Sequence, residues 1–356
     1  MPDFERLLTG KRVFVTGHSG FSGSWLCAWF RRAGIAVSGY SLVPEPHEML
    51  FGQLDLAADV NSTWADILDL ETLKDAMRDA APDVVIHLAA QPLVRKSYTE
   101  PLRTFSVNAQ GTANVLEAAR LTPSVKGIVA ITTDKVYENR EWGWAYREND
   151  PLGGKDPYSA SKAAAEMVIQ GYRSLPGMPS IATARGGNII GGGDFSADRL
   201  IPDFVRAVAS GEALTLRYPD ATRPWQHVLA LVQGYGTLAA GLLSNDPRRF
   251  ARAWNLGPND PAQYSVRHVL ELMSSAWERP TLRYLDEPLP EAGALQLDSR
   301  LAYNAIGWRQ PWSVERMVQE TAHWYREHAN RGNMRGFTDA QIDDWRQRNN
   351  GDPTGR

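Results

Sequence analysis

The chain has 356 residues, of which 43% are hydrophobic and 22% are charged, with a formal net charge of −3 at pH 7. This composition is typical of a globular protein, and the net charge gives no basic footprint for nucleic acid, so a small-molecule substrate is the default expectation. The length exceeds what one hydrophobic core usually serves, so we expect two lobes or one enlarged α/β domain.

Strand and helix patterns alternate through the first half of the chain. Short apolar runs predict strands at 12–17, 35–42, 83–90, 125–132 and 180–190. Helical spacing of apolar residues predicts helices at 24–33, 70–80, 103–120 and 158–175. Because parallel neighbours need a crossover connection, this alternation predicts an α/β fold with a doubly wound parallel sheet of the Rossmann type.

The pattern changes after Gly191. Further helices are expected at 200–210 and 314–329, and the elements between them are short and separated by prolines, which indicates a smaller C-terminal α/β lobe. We therefore predict a dinucleotide-binding domain over residues 1–187 and a substrate lobe over 188–330, from which segments can return to the first domain. Residues 331–356 are expected to form a polar, loosely ordered tail.

The compartment is indicated by the cysteine count and by hydropathy. Cys27 is the only cysteine, which excludes an intrachain disulfide and a thiolate metal site and fits a reducing cytosol. The first residues lack the apolar core of a signal peptide, and no segment approaches the roughly 18 apolar residues of a membrane span. We expect a cytoplasmic protein with no metal, no nucleic-acid partner and no membrane contact.

Three glycines, Gly17, Gly20 and Gly23, leave the first predicted strand and open the first helix. Glycine there permits the tight turn, close approach of a pyrophosphate to the backbone, and close packing of helix on strand. The helix N-terminus adds free N–H groups for the anion. These features predict a dinucleotide site, but "GYSL" ends the second strand without the usual acid, so these residues do not decide between NAD and NADP.

Two groups of residues suggest catalysis. Tyr158 and Lys162 are four residues apart on one helix face, and a lysine ammonium beside a phenol lowers the phenol pKa and makes it a usable base. In "TTDKVYENRE", Asp134 and Lys135 directly follow a predicted strand. They could be a solvated ion pair, or an acid and a base at the carboxyl edge of the sheet.

Six motifs resemble the extended short-chain dehydrogenase/reductase superfamily and, within it, the nucleotide-sugar 4,6-dehydratases, most closely their CDP-glucose branch. The motifs are "TGHSGFSG", "HLAAQ", "TTDKVYENREW", "YSASK", "RGGNIIGGGD" and "RPWQHV", and the resemblance covers about residues 8 to 330. The Tyr-Lys motif by itself indicates only the superfamily. The Thr-Asp pair points to a dehydratase, and the lysine after it points to the CDP-glucose branch.

The resemblance implies an NAD-dependent hydro-lyase that converts CDP-D-glucose to CDP-4-keto-6-deoxy-D-glucose. Tyr158, assisted by Lys162 and Thr133, would take the proton of the sugar 4-hydroxyl while NAD+ accepts hydride from carbon 4. Lys135 would remove the proton on carbon 5, and Asp134 would protonate the departing 6-hydroxyl. The hydride would then return to carbon 6.

The resemblance also implies binding residues and an assembly. Cofactor contacts are expected from Gly17, His18, Gly20, Phe21, Ser22, Gly23, Asp66, Ile67, Leu88, Ala89, Ala90, Gln91, Asn108, Tyr158 and Lys162. Substrate contacts are expected from Asn188, Asp194, Arg199, Arg223 and His227. Helices 103–120 and 159–174 would pair two copies as a homodimer.

Some alternatives stay open at this level. Asp66 could accept from the adenine amino group, or it could cap the helix before Leu70. Ser22 stands where close relatives carry lysine, which bears on cofactor affinity. Another nucleotide-sugar 4,6-dehydratase, a 4-epimerase on the same fold, and a dinucleotide sensor without catalysis are the competing functions.

Overall fold

The computed structural model describes residues 3–45, 48–216, 218–258, 264–284 and 295–351. Its strands are β1 Arg12–Thr16, β2 Ala36–Ser41, β3 Val60–Trp64, β4 Val84–His87, β5 Gly127–Ile131, β6 Ser180–Gly186, β7 Ile189–Ile190, β8 Leu214–Leu216, β9 Thr222–Arg223, β10 Gln226–His227, β11 Ala253–Leu256, β12 Tyr264–Ser265 and β13 Leu282–Tyr284. Its α-helices are α1 Phe4–Leu8, α2 Phe21–Arg32, α3 Leu50–Gln53, α4 Leu70–Ala80, α5 Val94–Thr99, α6 Pro101–Phe105, α7 Gly111–Arg120, α8 Pro157–Arg173, α9 Leu200–Ser210, α10 Val228–Leu242, α11 Val266–Ala276, α12 Arg300–Ile306, α13 Val314–Ala329 and α14 Met334–Gly351.

Seven strands form one parallel sheet in the order β11-β6-β5-β4-β1-β2-β3. Alternate residues of β4 face opposite sides, because successive side chains of a strand point to opposite faces: Val84 and Ile86 enter one core and Val85 the other. Both faces are therefore buried under helices. The doubly wound parallel sheet predicted from the sequence is confirmed.

The two edge strands were not predicted. β3 reads "VNSTW" and buries only Val60, so it lacks the apolar run that marks a central parallel strand. β11 has only four residues, "AWNL". The predicted strand over 180–190 is also interrupted: it ends at Gly186 and resumes as β7, because Asn188 has a φ of +47° and turns the chain out of the sheet.

Part of the range predicted for the substrate lobe belongs to the first unit. β11 pairs with β6, and α10 is buried along its whole length against the sheet. The elements that remain outside include α9, α11 and the short strands β8, β9, β12 and β13. Although α10 is apolar, no helix within the described ranges is long and apolar enough to cross a bilayer.

The expectation of a loosely ordered tail after residue 330 is wrong for its larger part. Residues 334–351 form α14, and Trp345 on this helix is buried and donates to Gln233 Oε1 at 2.7 Å. Asp343 accepts from Arg32 of α2 at 2.5 Å. The sequence read as polar because α14 has a single buried face and pairs its charges with those of other helices.

Candidate active site

The glycine loop between β1 and α2 packs too closely against neighbouring backbone to admit side chains at two of its glycines. Gly17 has a φ of +73°, and a Cβ there would lie 2.7 Å from the Ala89 nitrogen. A Cβ at Gly23 would lie 2.1 Å from the Gly17 oxygen. Gly20 is the N-cap of α2 and has no side chain to accept from the first-turn N–H groups. The loop therefore fits a dinucleotide pyrophosphate at the helix N-terminus.

The segment after β4 is held beside this loop. Gln91 donates its backbone N–H to Asn108 Oδ1 at 2.8 Å, and Asn108 Nδ2 donates to the Gln91 oxygen and to Ser161 Oγ. Asn108 lies in a π-helical turn, Ser106–Gln110, that joins α6 to α7; such turns are frequent at functional sites. This arrangement holds Leu88 and Ala89 against Gly17 of the loop, and contact of Leu88 to Gln91 with a cofactor stays a prediction.

The two predicted adenine contacts are partly committed to protein partners. Asp66 accepts from the Leu68 N–H and pairs with Arg103 at 2.7 Å. Asp69, not Asp66, is the cap of α4, so the capping alternative for Asp66 is wrong. Ile67 is buried against Gly111. Contact of either residue with adenine stays a prediction.

His18 lies beneath the loop rather than on its open side. Its Nε2 shares a hydrogen bond with Ser62 Oγ at 2.9 Å, and its ring contacts Phe51 and Trp64. Burial lowers its pKa from 6.5 to about 4, so the imidazole is neutral at pH 7. The ring supports the glycine loop from below, a packing role that the loop motif alone did not indicate.

The predicted acid and base stand together at the carboxyl end of β5. Thr133 caps the short 3₁₀ turn Asp134–Val136. Asp134 is only 1% exposed, and its Oδ1 accepts from Thr133 Oγ1 at 2.9 Å and from Lys135 Nζ at 3.3 Å. The alternative of a solvated ion pair is therefore wrong, because the carboxylate is buried.

Tyr158 and Lys162 project from α8 toward the same strand end. Both are buried, and Lys162 Nζ donates to the Ile131 oxygen at 3.2 Å. Burial lowers the pKa of Lys162 to about 8, opposed by the charge of Glu166. A side-chain hydrogen bond with Thr133 lowers the pKa of the Tyr158 phenol. The Thr133 hydroxyl therefore links the tyrosine to the Asp134 carboxylate.

The expected lowering of the Tyr158 pKa does not occur in the free protein. Burial raises the pKa of the phenol, and the opposing effects of Lys135 and Thr133 do not overcome it. Lys135 rather than Lys162 is the lysine whose charge most favours the phenolate. For Lys135 itself, burial lowers the pKa, but Asp134 and Tyr158 outweigh it, so the net pKa is raised.

Two residues that follow β6 lie in or near the group of predicted catalytic side chains. A Cβ at Gly187 would lie 2.2 Å from Asp134 Cγ, so this glycine is in direct contact with the carboxylate. Asn188 has a buried Nδ2 without a hydrogen-bond partner in the structure, which fits a donor reserved for substrate. Sequence analysis named Asn188 but missed Gly187, although the pair of glycines after the strand was a visible signal.

The remaining substrate residues lie around this cluster. Arg223 lines a pocket of about 630 Å³, together with Trp144, Trp225 and Tyr264. Its positive charge lowers the pKa of Lys135. Arg199 pairs with the buried Asp194 at 2.9 Å. Its positive charge lowers the pKa of the Tyr158 phenol. These positions fit a charged substrate that extends from the catalytic cluster into the pocket.

His227 is not a substrate residue. Its ring is 0% exposed and packs among Trp25, Trp312 and Trp345. Its Nδ1 accepts the Leu229 N–H and thereby caps α10. The motif "RPWQHV" therefore combines pocket residues at its start, Arg223 to Trp225, with buried residues at its end.

This burial predicts an acid-sensitive fold. Burial lowers the pKa of His227 from 6.5 to about 3, so the unfolded chain binds more protons than the folded one between these values. The free energy of unfolding should therefore fall as the pH drops through 6.5. His227→Asn keeps an acceptor for the cap but cannot be protonated, so its stability should fall less steeply. Urea unfolding at pH values above and below 6.5 measures this, and identical pH slopes for the two proteins would contradict it.

Comparisons with known proteins agree on one family. A model of the NAD dependent epimerase/dehydratase family matches residues 13–257. The CDP-glucose 4,6-dehydratase of Salmonella typhimurium is 40% identical over 327 residues, which span 89% of this chain and 91% of that protein. The fold resembles the structure of DesIV, a dTDP-glucose 4,6-dehydratase from Streptomyces venezuelae with NAD and TYD bound, at a TM-score of 0.78 and 23% identity, covering 90% of this chain and 98% of that one.

The fold by itself does not separate dehydratases from epimerases. The UDP-glucuronic acid 4-epimerase of Bacillus cereus, solved with UDP-glucuronic acid and NAD, aligns with a TM-score of 0.77 at 20% identity, over 89% of this chain and 99% of that one. The distinction therefore depends on the side chains of the site.

Proposed function

The chain belongs to the NAD dependent epimerase/dehydratase family, whose model spans residues 13–257, and we propose that it is a CDP-glucose 4,6-dehydratase. The observation that carries the proposal is the buried carboxylate of Asp134, bonded to Lys135 and to Thr133. A 4-epimerase needs a base for the 4-hydroxyl but no acid that expels water. The 40% identity to the Salmonella typhimurium enzyme supports CDP-glucose as the substrate.

The cofactor and the residues of α8 would act on carbon 4 of the sugar. The glycine loop Gly17 to Gly23 and the N-terminus of α2 would hold NAD, which would supply reversible hydride acceptance at carbon 4. Tyr158 takes the proton of the 4-hydroxyl, and Thr133 orients the phenol. Lys162 lies on the same helix face, and the charge of Lys135 favours the phenolate. Tyr158, Thr133 and Lys162 are buried, which excludes water from the reacting atoms.

Asp134 and Lys135 would perform the elimination as a pair. Moving one proton from Lys135 Nζ to Asp134 Oδ1, over 3.3 Å, yields a neutral amine and a carboxylic acid together. The amine removes the proton on carbon 5, and the acid protonates the departing 6-hydroxyl as water leaves. Arg223 lowers the pKa of Lys135, in the same direction as burial, and once Asp134 is protonated its charge no longer opposes them.

The nucleoside diphosphate would extend away from this pair. Arg223 lines the pocket beside Lys135, and its planar guanidinium suits a diphosphate. Asn188 supplies a buried amide donor that suits a sugar or diphosphate oxygen. Asp194 would hold Arg199 in place beside the substrate.

An activity assay tests this function. The protein is incubated with CDP-glucose, UDP-glucose, dTDP-glucose and GDP-mannose, with and without added NAD+, and the alkaline absorbance of a 4-keto sugar is recorded. Product from CDP-glucose above the other donors is the expected result. Product from another donor alone would overturn the CDP assignment, and a 4-epimer without a keto product would overturn the dehydratase assignment.

We also propose a homodimer in which α6, α7 and α8 of one copy pack against the same helices of the other copy. Leu102, Phe105 and Met167 on these helices are exposed, at 84%, 39% and 51%, and pairing of two copies would cover them. Tyr98, just before α6, is 63% exposed. The pairing of helices 103–120 and 159–174 expected from the family resemblance is compatible with this apolar surface.

Charge placed on this surface should separate the copies. A Leu102→Glu, Met167→Glu double variant should sediment as a monomer where the unmodified protein sediments as a dimer, because burying carboxylates in the pairing surface is unfavourable. Val43→Glu, at a position that is 69% exposed elsewhere on the molecule, is the matched control and should remain a dimer. Sedimentation velocity measures both, and a monomeric unmodified protein would contradict the proposal.

A cytoplasmic location is proposed as well. Cys27 is the only cysteine of the chain and is buried. Burial raises the pKa of its thiol, which keeps it protonated and unreactive. A protein without disulfides suits a reducing compartment, and cell fractionation tests this placement.

A further inference from the structure

A buried ion pair lies directly behind the catalytic cluster. Arg185 of β6 and Glu166 of α8 form two parallel hydrogen bonds of 2.9 and 3.0 Å. Their side chains are 4% and 2% exposed. Neither residue was singled out by sequence analysis, and neither is used in the reaction proposed above.

The two members of this pair hold the two ends of the acid-base segment. Thr132, just before Thr133, donates its hydroxyl to Glu166 Oε1 at 2.6 Å. At the other end, Arg185 donates to the Tyr137 hydroxyl at 2.9 Å, and its guanidinium lies 5.1 Å from the centre of the tyrosine ring. Thr133, Asp134 and Lys135 lie between these two attachment points.

The same network reaches the wall of the substrate pocket. Tyr137 donates to Asn255 Oδ1 at 2.6 Å, and the Asn255 N–H donates to Glu148 Oε1 at 2.9 Å. Arg185 also donates to the Glu148 backbone oxygen. Arg147 and Asp150, on either side of Glu148, line the pocket, so one buried network joins the acid-base segment, the pocket wall and α8.

Glu166 acts on α8 as well. It lies one turn after Lys162, and its charge raises the pKa of that lysine against the lowering by burial. The carboxylate that holds Thr132 therefore also helps to keep Lys162 protonated. A change at Glu166 would alter both halves of the site at once, whereas a change at Thr132 removes only its bond to Glu166, and a change at Tyr137 removes its bonds to Arg185 and Asn255.

We propose that the Glu166–Arg185 pair is a positioning device, which fixes Asp134 and Lys135 relative to Tyr158 by holding Thr132 and Tyr137. The four residues are positioning residues, since none of them contacts the reacting atoms. The hydrogen bonds to Thr132 and Tyr137 satisfy remaining acceptor and donor groups of the buried pair, as any buried ion pair requires; the positioning role follows from where these two partners lie, on either side of Thr133, Asp134 and Lys135. The consequence for turnover rests on the function proposed above; the consequence for the geometry of the segment does not.

Two conservative variants test the proposal without leaving a buried charge unpaired. Thr132→Val removes the hydrogen bond to Glu166, Tyr137→Phe removes those to Arg185 and Asn255, and both variants keep the ion pair. We expect kcat to fall by about 10- to 100-fold, because a small misplacement of catalytic groups has effects of this size, with KM for the nucleotide sugar changed by less than about 3-fold. Thr132→Ser keeps the hydroxyl and should restore kcat.

Hydrogen exchange provides a readout that is independent of turnover. Backbone amides of 132–137 should exchange faster in Thr132→Val and Tyr137→Phe, while those of 157–173 exchange as in the unmodified protein. Thr321→Val removes another fully buried hydroxyl, which bonds to the Met317 backbone oxygen in α13, and should change neither kcat nor the exchange of 132–137.

The outcomes separate the two proposals. Unchanged exchange of 132–137 in both variants would overturn the positioning role, whatever the kinetics. Equal loss of kcat in Thr321→Val would also overturn it, because the effect would then reflect general stability. Failure of the unmodified protein to convert any nucleotide sugar would overturn the proposed function, while faster exchange in the variants would still support the attachment of the segment.

Discussion

Asp134→Asn is expected to lower kcat for nucleotide-sugar dehydration by about 10²- to 10⁴-fold, the range that general acid-base catalysis contributes. Asparagine has nearly the same shape and keeps one oxygen for the Thr133 hydroxyl, which bonds to Asp134 at 2.9 Å. An amide cannot deliver a proton to the departing 6-hydroxyl, and it cannot accept the proton of Lys135. The rate of 4-keto sugar formation from CDP-glucose measures the loss.

Two control measurements accompany the Asp134→Asn variant. Its melting temperature shows whether the buried amide has disturbed the fold, since Asp134 is only 1% exposed. The second observation is 4-epimer formation, which needs no acid at this position. A variant that keeps full activity, or an unmodified protein whose activity is 4-epimerisation, would contradict the role of Asp134 as the acid that expels water.

Gly187→Ala is expected to lower kcat by about 10²-fold, although the substitution adds one methyl group to a residue with no chemistry of its own. The new Cβ would lie 2.2 Å from Asp134 Cγ and 2.3 Å from Asp134 Oδ2. The contact is with the end of a side chain, so the carboxylate can rotate away and the fold is preserved. Displacement of the acid from its place beside Lys135 then costs activity, since such misplacements have large kinetic effects.

Gly153→Ala is the matched control for this variant. Gly153 also adjoins the acid-base segment, where its N–H donates to the Val136 oxygen, but a Cβ there has ordinary contact with Glu138 at 3.4 Å. We expect the control to keep kcat and melting temperature within experimental error. Full activity of Gly187→Ala would show that the carboxylate position seen here is not required for elimination.

Much of the fold and of the site could be predicted from the sequence, because the features concerned depend on residues that are close together in the chain. The five central strands are apolar runs, and an apolar run is what a strand buried on both faces requires. The glycine loop and the Tyr158–Lys162 pair depend on spacing along one turn or one helix. Asp134 and Lys135 were recognised because they follow a strand whose carboxyl end faces the ligand in this type of sheet.

The features that could not be predicted depend on contacts between distant parts of the chain. β3 and β11 lie at the sheet edges, where one neighbouring strand provides the hydrogen bonds and few apolar residues are required. His227 stands four residues after Arg223 in one motif, yet the packing of Trp312 and Trp345 places it in the core. The charged residues of α14 predict a solvated tail from sequence alone, whereas in the fold the helix pairs with α2 through Asp343 and Arg32.

By itself, the sequence determined a parallel doubly wound sheet, a dinucleotide loop, and an acid-base pair beside a tyrosine and a lysine, since each follows from residue type and short-range spacing. Only the tertiary structure decided that Asp134 is buried against Gly187, that Lys135 acts on Tyr158, and that Glu166 and Arg185 hold the segment between Thr132 and Tyr137. The physical reason is that burial, pKa and hydrogen-bond partner are set by packing, which brings together residues that are tens of positions apart in the chain.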